Sequence, residues 1–453
     1  MTTENQNFDS IIIGGGVAGL SALETLNKMQ HNVLLLEKAE RCGGLVNSDF
    51  DQDFLLETGP VAFLKSYKHT TEFIEKIGLS EEVITNVPGN DKRYIYRNGE
   101  LHALPEGPLA FFKSKLFSAK AKLRLCLEPF SPRPNQSEES VYEFGKRRFG
   151  EEVANIALDS MVSGVAAGDF KKIDVNSLFP KIATIENKFK SFLLFLLLFK
   201  IKSTEKSKDN KSVTFRTLKK GMGAIARHME QRHNKHIRFS CEALSITKNN
   251  GYYTIQTCEG DFTAKNIVLA TPAFVAGKLL ANIDGNLSVL LQKIPYGSIT
   301  TCLMGYPKES IQHTMDGFGF LIPRNQKVRI LGGLFSSNLF PDRAGHNHTA
   351  IKVYIGGAHD EDIQNVSDQK IVEIVHEELS RILKISSCPI YSHVNKIENA
   401  IPQYHLGHQS IKKSIYQALA KHPDIFLLGN YLEGISVNES IKSAENLYSA
   451  EKN

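Results

Sequence analysis

The clearest pattern of apolar positions lies at the start of the chain. Ser10-Ile11-Ile12-Ile13 has an apolar run with no polar interruption and predicts a short strand buried on both faces. Gly14-Gly15-Gly16-Val17-Ala18-Gly19 follows, and apolar residues then recur at helical spacing from Leu20 to Met29. Asn32 to Leu36 (NVLLL) predicts a second buried strand that ends at Glu37. Strand, glycine turn, helix and strand make one βαβ unit of the dinucleotide-binding type. Farther along, Lys92 to Leu101 predicts a hairpin, with Asn98-Gly99 suited to a tight type I′ turn. The stretch 108–199 reads as mostly helical, apart from a polar, turn-rich loop at 131–138. A Lys- and Ser-rich linker follows at 202–211. Further strands are predicted at 237–239, 252–258, 267–270, 299–306, 318–323 and 351–355, and the chain ends in a helix after Gly434. No internal repeat is evident.

Composition narrows the class. The 453 residues are 42% hydrophobic and 23% charged, which fits two or three folded domains and excludes a disordered or multi-span membrane chain. A net charge of +5 is too small to imply nucleic acid as a partner. The six cysteines lie far apart with no C-x-x-C pair, so neither a zinc site nor a disulfide framework is expected, and a reducing compartment is. The polar start of the chain does not read as a secretory or transit signal. The longest apolar run, 192–199, falls far short of the ~20 residues that span a bilayer.

In the Gly14-x-Gly16-x-x-Gly19 motif the first glycine permits a tight turn. The second lets backbone approach a pyrophosphate, and the third packs helix against sheet. The helix start offers free N–H groups and partial positive charge to phosphates. Glu37 is placed to accept a hydrogen bond from a ribose hydroxyl. Two more glycine turns follow, Glu37-Lys38-Ala39-Glu40-Arg41-Cys42-Gly43-Gly44 and Glu57-Thr58-Gly59-Pro60. The chain ends with Phe426-Leu427-Leu428-Gly429-Asn430-Tyr431, then Gly434-Ile435-Ser436-Val437 and a helix.

These turns resemble those lying along the flavin in the amine-oxidase-like flavoproteins, with Leu45 where an aromatic residue or arginine is more usual. Over nearly its whole length the chain resembles the oxygen-dependent protoporphyrinogen oxidases, particularly the mitochondrial type. The specific blocks are Lys92 to Gly99, Ser118 to Leu123 with Leu127 to Phe130, Val162 to Asp169, and Phe179-Pro180-Lys181. Gly317 to Pro323, Leu331 to Ser337 with Phe340-Pro341, Ile401 to Tyr404 with Leu406 to His408, and Glu433 to Asn438 complete the set.

The resemblance implies an α/β fold in three interleaved parts. A Rossmann-type FAD-binding domain takes 1–88, 206–280 and 423–453. A β-rich substrate domain takes 89–105 and 281–422, and a helical membrane-associating region takes 106–205. FAD would contact Gly14, Gly15, Gly16, Val17, Ala18, Gly19, Glu37, Lys38, Arg41, Gly43, Gly44, Leu45, Gly59, Pro60, Val61, Ala62, Cys241, Asn430, Ile435, Ser436 and Val437. The implied reaction converts protoporphyrinogen IX to protoporphyrin IX, with O₂ as acceptor and H₂O₂ as product. Arg93 would pair with a propionate of the tetrapyrrole, and Leu321, Leu334 and Tyr354 would sandwich its rings. Gly164 would hold its carbonyl near the reacting carbon; the family commonly has Phe where Tyr354 stands. No side-chain nucleophile and no metal are expected, because flavin N5 takes the hydride. His102, His405 and His408 are read as structural.

Phe189 to Phe199, flanked by Lys188, Lys190, Lys200, Lys202, Lys206 and Lys208, is either a core helix or a peripheral membrane surface, and the resemblance favours the surface. That implies the cytoplasmic membrane in a bacterium or the inner mitochondrial membrane in a eukaryote. Alternatives stay open: coproporphyrinogen III as substrate, an amine oxidase or desaturase, or a non-catalytic escort on the same scaffold. Amine oxidases often place a lysine near the flavin, and no such lysine is identified from the sequence. Oligomeric state is not legible, a homodimer being one option.

Overall fold

The apolar run at residues 11–13 lies inside a seven-stranded sheet, and a separate core packs on each face of that sheet. The computed structural model describes residues 7–105, 107–134, 138–195 and 214–447. Strand Asn7–Ile13 is flanked in parallel by Val33–Leu36 and Gly260–Leu269, with Ile11 opposite Leu34 on one side and Ile267 on the other. Ile237–Arg238 extends the parallel set at one end, and Ile425–Leu427 joins the last residues of Gly260–Leu269. The first residues of that long strand instead form an antiparallel meander with Tyr252–Thr257 and Ala243–Asn249.

Alternate side chains feed two separate cores, as strand geometry requires. Ile12, Leu35 and Val268 meet Leu20, Ile225 and Ile441, from helices Val17–Lys28, Ala224–His233 and Val437–Glu445. Ile11, Leu34 and Ile267 meet Ala276, Leu287 and Ile415 on the other side. Both ends of the chain therefore build one sheet and its helices.

The second seven-stranded sheet runs in the order Tyr391–Pro402, Tyr296–Pro307, His348–Gly356, Ile330–Leu334, Gly319–Leu321, Arg93–Arg97 and Glu100–Ala103. All neighbours are antiparallel except Gly319–Leu321 beside Arg93–Arg97. The predicted hairpin closes with φ 53° at Asn98 and 88° at Gly99, the paired positive values of a type I′ turn. Cys302, Met304, Phe320 and Val353 pack one face of this sheet on helix Asp368–Leu383, through Ile371, Val375 and Leu379.

Short helices fill residues 107–195, as the pattern predicts. Glu128, fully buried, accepts from the Ser191 hydroxyl and the amides of Phe192 and Leu193, and pairs with Arg148 at 3.2 Å. That carboxylate pins the start of the apolar segment predicted at Phe189 to Phe199. Of that segment only Phe189–Phe195 is described; Leu196–Phe199, Lys200, Lys202, Lys206, Lys208 and the linker at 202–211 lie outside the described residues. Among the described residues no helix is long and apolar enough to cross a membrane.

His408 is buried and stacked on Tyr404 with ring centroids 4.2 Å apart, a packing role rather than a chemical one. Burial, helped by the charge of Lys412, pulls its pKa down from 6.5 to about 4. The unfolded chain takes up this proton at higher pH than the folded one, so stability is complete above pH 6.5 and declines as pH falls toward 4. The full loss is about 3 kcal/mol. In a series of melting temperatures against pH, His408→Phe is expected to flatten this acid limb while keeping the stack. A limb of unchanged steepness in that variant would contradict the assignment.

Candidate flavin and substrate site

The chain passes from strand Asn7–Ile13 to helix Val17–Lys28 through glycines that have two different causes. A Cβ on Gly19 would stand 1.9 Å from the Gly14 carbonyl oxygen, so packing inside the protein forbids a side chain there. Gly16 is different. Its φ is −68°, which any residue adopts, and a Cβ on it would meet nothing within 4 Å. The missing side chain leaves open backbone at the start of a helix that no side chain caps. That is the form of a phosphate cradle.

Glu37 supports this loop. One of its carboxylate oxygens accepts from Gly15 N at 2.6 Å and the other from Ala39 N at 2.8 Å, and each keeps a lone pair for a ribose hydroxyl. Cys241 donates its backbone N–H to the Glu37 carbonyl at 2.9 Å, which brings the 237–241 segment to the same place. Its thiol is buried. Lys38 and Leu45 are exposed, and Arg41 spends its guanidinium on a two-bond pair with Asp49 at 2.7 and 2.8 Å.

The two later turns pack on the first. Gly43 bridges Gly16, and its N–H donates to Gly15 O at 2.8 Å. A Cβ on Gly59 would stand 2.1 Å from Leu45 O, so the turn of Gly59 and Pro60 lies directly against the Gly43–Leu45 turn. Val61, buried, packs with Leu334, with Ala62 at the margin of the same cluster. The chain end approaches from the side: both Gly429 and Gly14 abut Thr271. Beyond Asn430 and Ile435, Ser436 caps helix Val437–Glu445 through Glu439 N at 3.3 Å. The structure thus packs the turns at 14–19, 37–45 and 59–62 and residue 241 against one another, and the chain end reaches them at Gly429 through Thr271.

Sheet register does the same for the residues expected to meet a substrate. One row across the second sheet reads Ile95, Leu321, Gly332, Tyr354, Thr301, Asn395. The adjoining row reads Arg93, Gly319, Leu334, Lys352, Leu303, His393. Laterally paired residues share a face, so Arg93, Leu321, Leu334 and Tyr354 all lie on the face opposite helix Asp368–Leu383. Gly164, on helix Asp159–Ala166, sits over this row: a Cβ there would be 2.5 Å from Leu321 Cδ2. Arg324 ties that helix to the strand, bonding Asp159 through Nε at 2.6 Å and through its own backbone N–H at 2.9 Å. Arg93 is exposed, and its guanidinium makes no hydrogen bond or ion pair with a described residue. Its neighbours differ: Lys92 pairs with Asp316, and Arg97 with Glu152 at 3.0 Å.

One charged residue on this face was not singled out from the sequence. Lys352 is buried, and its ammonium donates to the carbonyls of Glu57 and Gly59, both at 2.6 Å, while lying 5.5 Å above the Tyr354 ring. It ties the second sheet to the turn predicted to flank the flavin. The available signal was a single lysine inside the otherwise apolar strand Ile351-Lys352-Val353-Tyr354-Ile355.

Comparison with known proteins places this geometry. The pattern of flavin-containing amine oxidoreductases matches residues 17–446. A relative named coproporphyrinogen III oxidase, from Bacillus subtilis, is 26% identical, with 95% of each chain covered. One named chloroplastic protoporphyrinogen oxidase 1, from Spinacia oleracea, is 30% identical over 96% of this chain and 83% of its own. Among solved structures, one assigned as a protoporphyrinogen oxidase from Exiguobacterium sp. 255-15 shares the fold with a TM-score of 0.83, at 22% identity and 99% coverage of both chains. The family implies a flavin, and the open backbone at Gly16 fits one. The chain belongs to the flavin-containing amine oxidoreductase family, and its resemblance to the protoporphyrinogen oxidases extends over nearly its whole length.

Proposed function

We propose that this protein binds FAD and oxidises protoporphyrinogen IX to protoporphyrin IX, with O₂ as electron acceptor and H₂O₂ as the second product. The observation that carries the reading is the sheet register. It brings an unpaired guanidinium, two leucines and a tyrosine into adjoining rows of one face, tied by Lys352 to the flavin-side turn.

Bound FAD would supply a two-electron acceptor, and six electrons leave the macrocycle in three rounds. The rest of the work falls to the chain. Leu321, Leu334 and the ring of Tyr354 bind the flat apolar body, and Arg93 orients it by a propionate. Burial pushes the pKa of Tyr354 well up, so its hydroxyl stays neutral beside the apolar ring system. Coproporphyrinogen III carries two more propionates, and the cations beside Arg93 are already held by Asp316 and Glu152. The preference is therefore for the two-propionate substrate. The test is steady O₂ uptake with rising porphyrin fluorescence from FAD-loaded protein, and a higher kcat/KM for protoporphyrinogen than for coproporphyrinogen. No turnover of either would overturn the reading.

The reading includes peripheral attachment to a membrane, the cytoplasmic membrane in a bacterium or the inner mitochondrial membrane in a eukaryote. Support comes from the helices of residues 107–195, where Leu109, Phe112, Leu123, Leu127, Phe130 and Leu194 stand exposed, Phe130 by 84%. Lys113, Lys115 and Lys120 lie among them in sequence. Large apolar side chains held in water with lysines nearby suit an anionic headgroup layer. The protein is expected to float with vesicles containing anionic lipid, and Leu127→Glu with Phe130→Glu to release most of it. Wild-type protein that stays entirely at the bottom of the gradient would contradict this.

A further inference from the structure

Behind the flavin-side turn lies a cavity of about 30 Å³, lined in part by Glu57, Thr301, Ser336, Arg343, Lys352 and Asn395. Its lining is unusually charged for so buried a place. The side chains of Glu57, Arg343 and Lys352 come from three separate segments, and the residues are exposed by 7%, 1% and 3%. Lys352 is satisfied by the two turn carbonyls, and Arg343 donates to Thr217, Leu218 and Lys219. Glu57 is not satisfied. The Met222 backbone N–H is directed at the carboxylate, but neither oxygen accepts a hydrogen bond of ordinary geometry from a described residue, and Arg343 Nε, 3.7 Å away, is also without one. The cavity has room for a water or two, with polar atoms to hold them.

Burial lifts the Glu57 carboxyl and lowers the Lys352 ammonium, while the attraction between them opposes both shifts and favours the two charges together. Arg343 is the largest opposing influence on Glu57, ahead of Lys352, the Met222 backbone N–H and Arg227, from helix Ala224–His233. The cluster is costly to bury, and a structural ion pair would bond directly. Here the ammonium points instead at the carbonyls of Glu57 and Gly59, while the carboxylate stays in the cavity beneath.

We propose that Lys352 and Glu57 are positioning residues of opposite electrostatic effect, which together set the electron affinity of the flavin carried by the turn at residues 59–62. This rests on the reading that a flavin lies along that turn. A fixed ammonium favours the added negative charge of a reduced flavin, and a fixed carboxylate opposes it. A water held in the cavity would complete the carboxylate's hydrogen bonds and favour its charged form against the effect of burial.

The test is the midpoint potential of the bound flavin, measured spectroscopically without porphyrinogen, for wild type, Lys352→Met, Glu57→Gln and the double variant. Lys352→Met is expected to lower the potential and Glu57→Gln to raise it, each by about 30 mV or more, tenfold in a two-electron equilibrium. The double variant should return toward wild type. Simple damage to the fold would move both singles the same way. Shifts of one sign, or none, would overturn the proposal. If Lys352→Met fails to fold, the upward shift in the near-isosteric Glu57→Gln decides alone. Turnover of porphyrinogen plays no part in the measurement, so a wrong substrate leaves it standing. Wild-type protein that takes up no flavin would overturn both readings.

Discussion

Gly16→Val is expected to fold and to lose the flavin. The backbone at Gly16 has φ −68°, and no protein atom comes within 4 Å of the position its Cβ would occupy. Nothing inside the chain therefore requires glycine, and the apoprotein's stability should change by no more than about 0.5 kcal/mol. What a side chain removes is the approach to open N–H groups at the start of helix Val17–Lys28. Flavin affinity should fall about 100-fold or more, on the order of 3 kcal/mol, measured by quenching of flavin fluorescence on titration with apoprotein. Gly19→Val supplies the contrast. Its Cβ would be driven into the Gly14 carbonyl, so that variant should lose stability along with flavin. A Gly16→Val protein that binds flavin as tightly as wild type would remove the phosphate cradle from the account.

Arg93→Ala should raise KM for protoporphyrinogen by roughly 10- to 100-fold and leave kcat within a few-fold. A charge-assisted bond to a carboxylate contributes about 1.5–3 kcal/mol. Because the bond lies at the edge of the macrocycle, it holds substrate and transition state alike and appears in KM. The side chain is exposed and without a described partner, so the melting temperature should not move. Arg93→Glu should be worse, by repulsion. Esterified propionates supply a chemical control: with that substrate, wild type and Arg93→Ala should converge. A variant with unchanged KM would take Arg93 out of the site.

The parts of this architecture legible in the sequence are those whose cause is local. Ile11–Ile13 is apolar at every position because both faces of its strand are covered, and an unbroken run signals that directly. Asn98-Gly99 closes its hairpin because both residues tolerate positive φ. Strand Tyr391–Pro402 was missed for an equally plain reason. It is the edge of its sheet, most of its residues are partly or wholly exposed, and YSHVNKIENAIP shows no alternation to read. The helix Asp368–Leu383 does carry a local signal, apolar residues at 371, 375, 379 and 382 that line the buried side of an amphipathic helix between strands.

The site divides along the same line. Gly14, Gly16 and Gly19 announce themselves because their spacing encodes a turn and a helix start. Arg93, Leu321, Leu334 and Tyr354 carry no such mark, and their roles come from the family resemblance. What makes them neighbours is register across strands far apart in sequence. Lys352 is the extreme case: its acceptor at Glu57 lies 295 residues away, so a lysine in an apolar strand looks like an exposed edge residue until the fold shows it buried. Arg41 shows the same dependence on the fold, since its guanidinium pairs with Asp49, eight residues on, across the turn.

The most direct test of the central claim is anaerobic mixing of the FAD-loaded protein with protoporphyrinogen IX, with the flavin's visible absorption and porphyrin fluorescence followed together. The flavin band is expected to bleach as porphyrin appears, three flavins for each porphyrin formed, and to return when O₂ is admitted. A flavin that chemical reductant bleaches but protoporphyrinogen leaves untouched would contradict that claim.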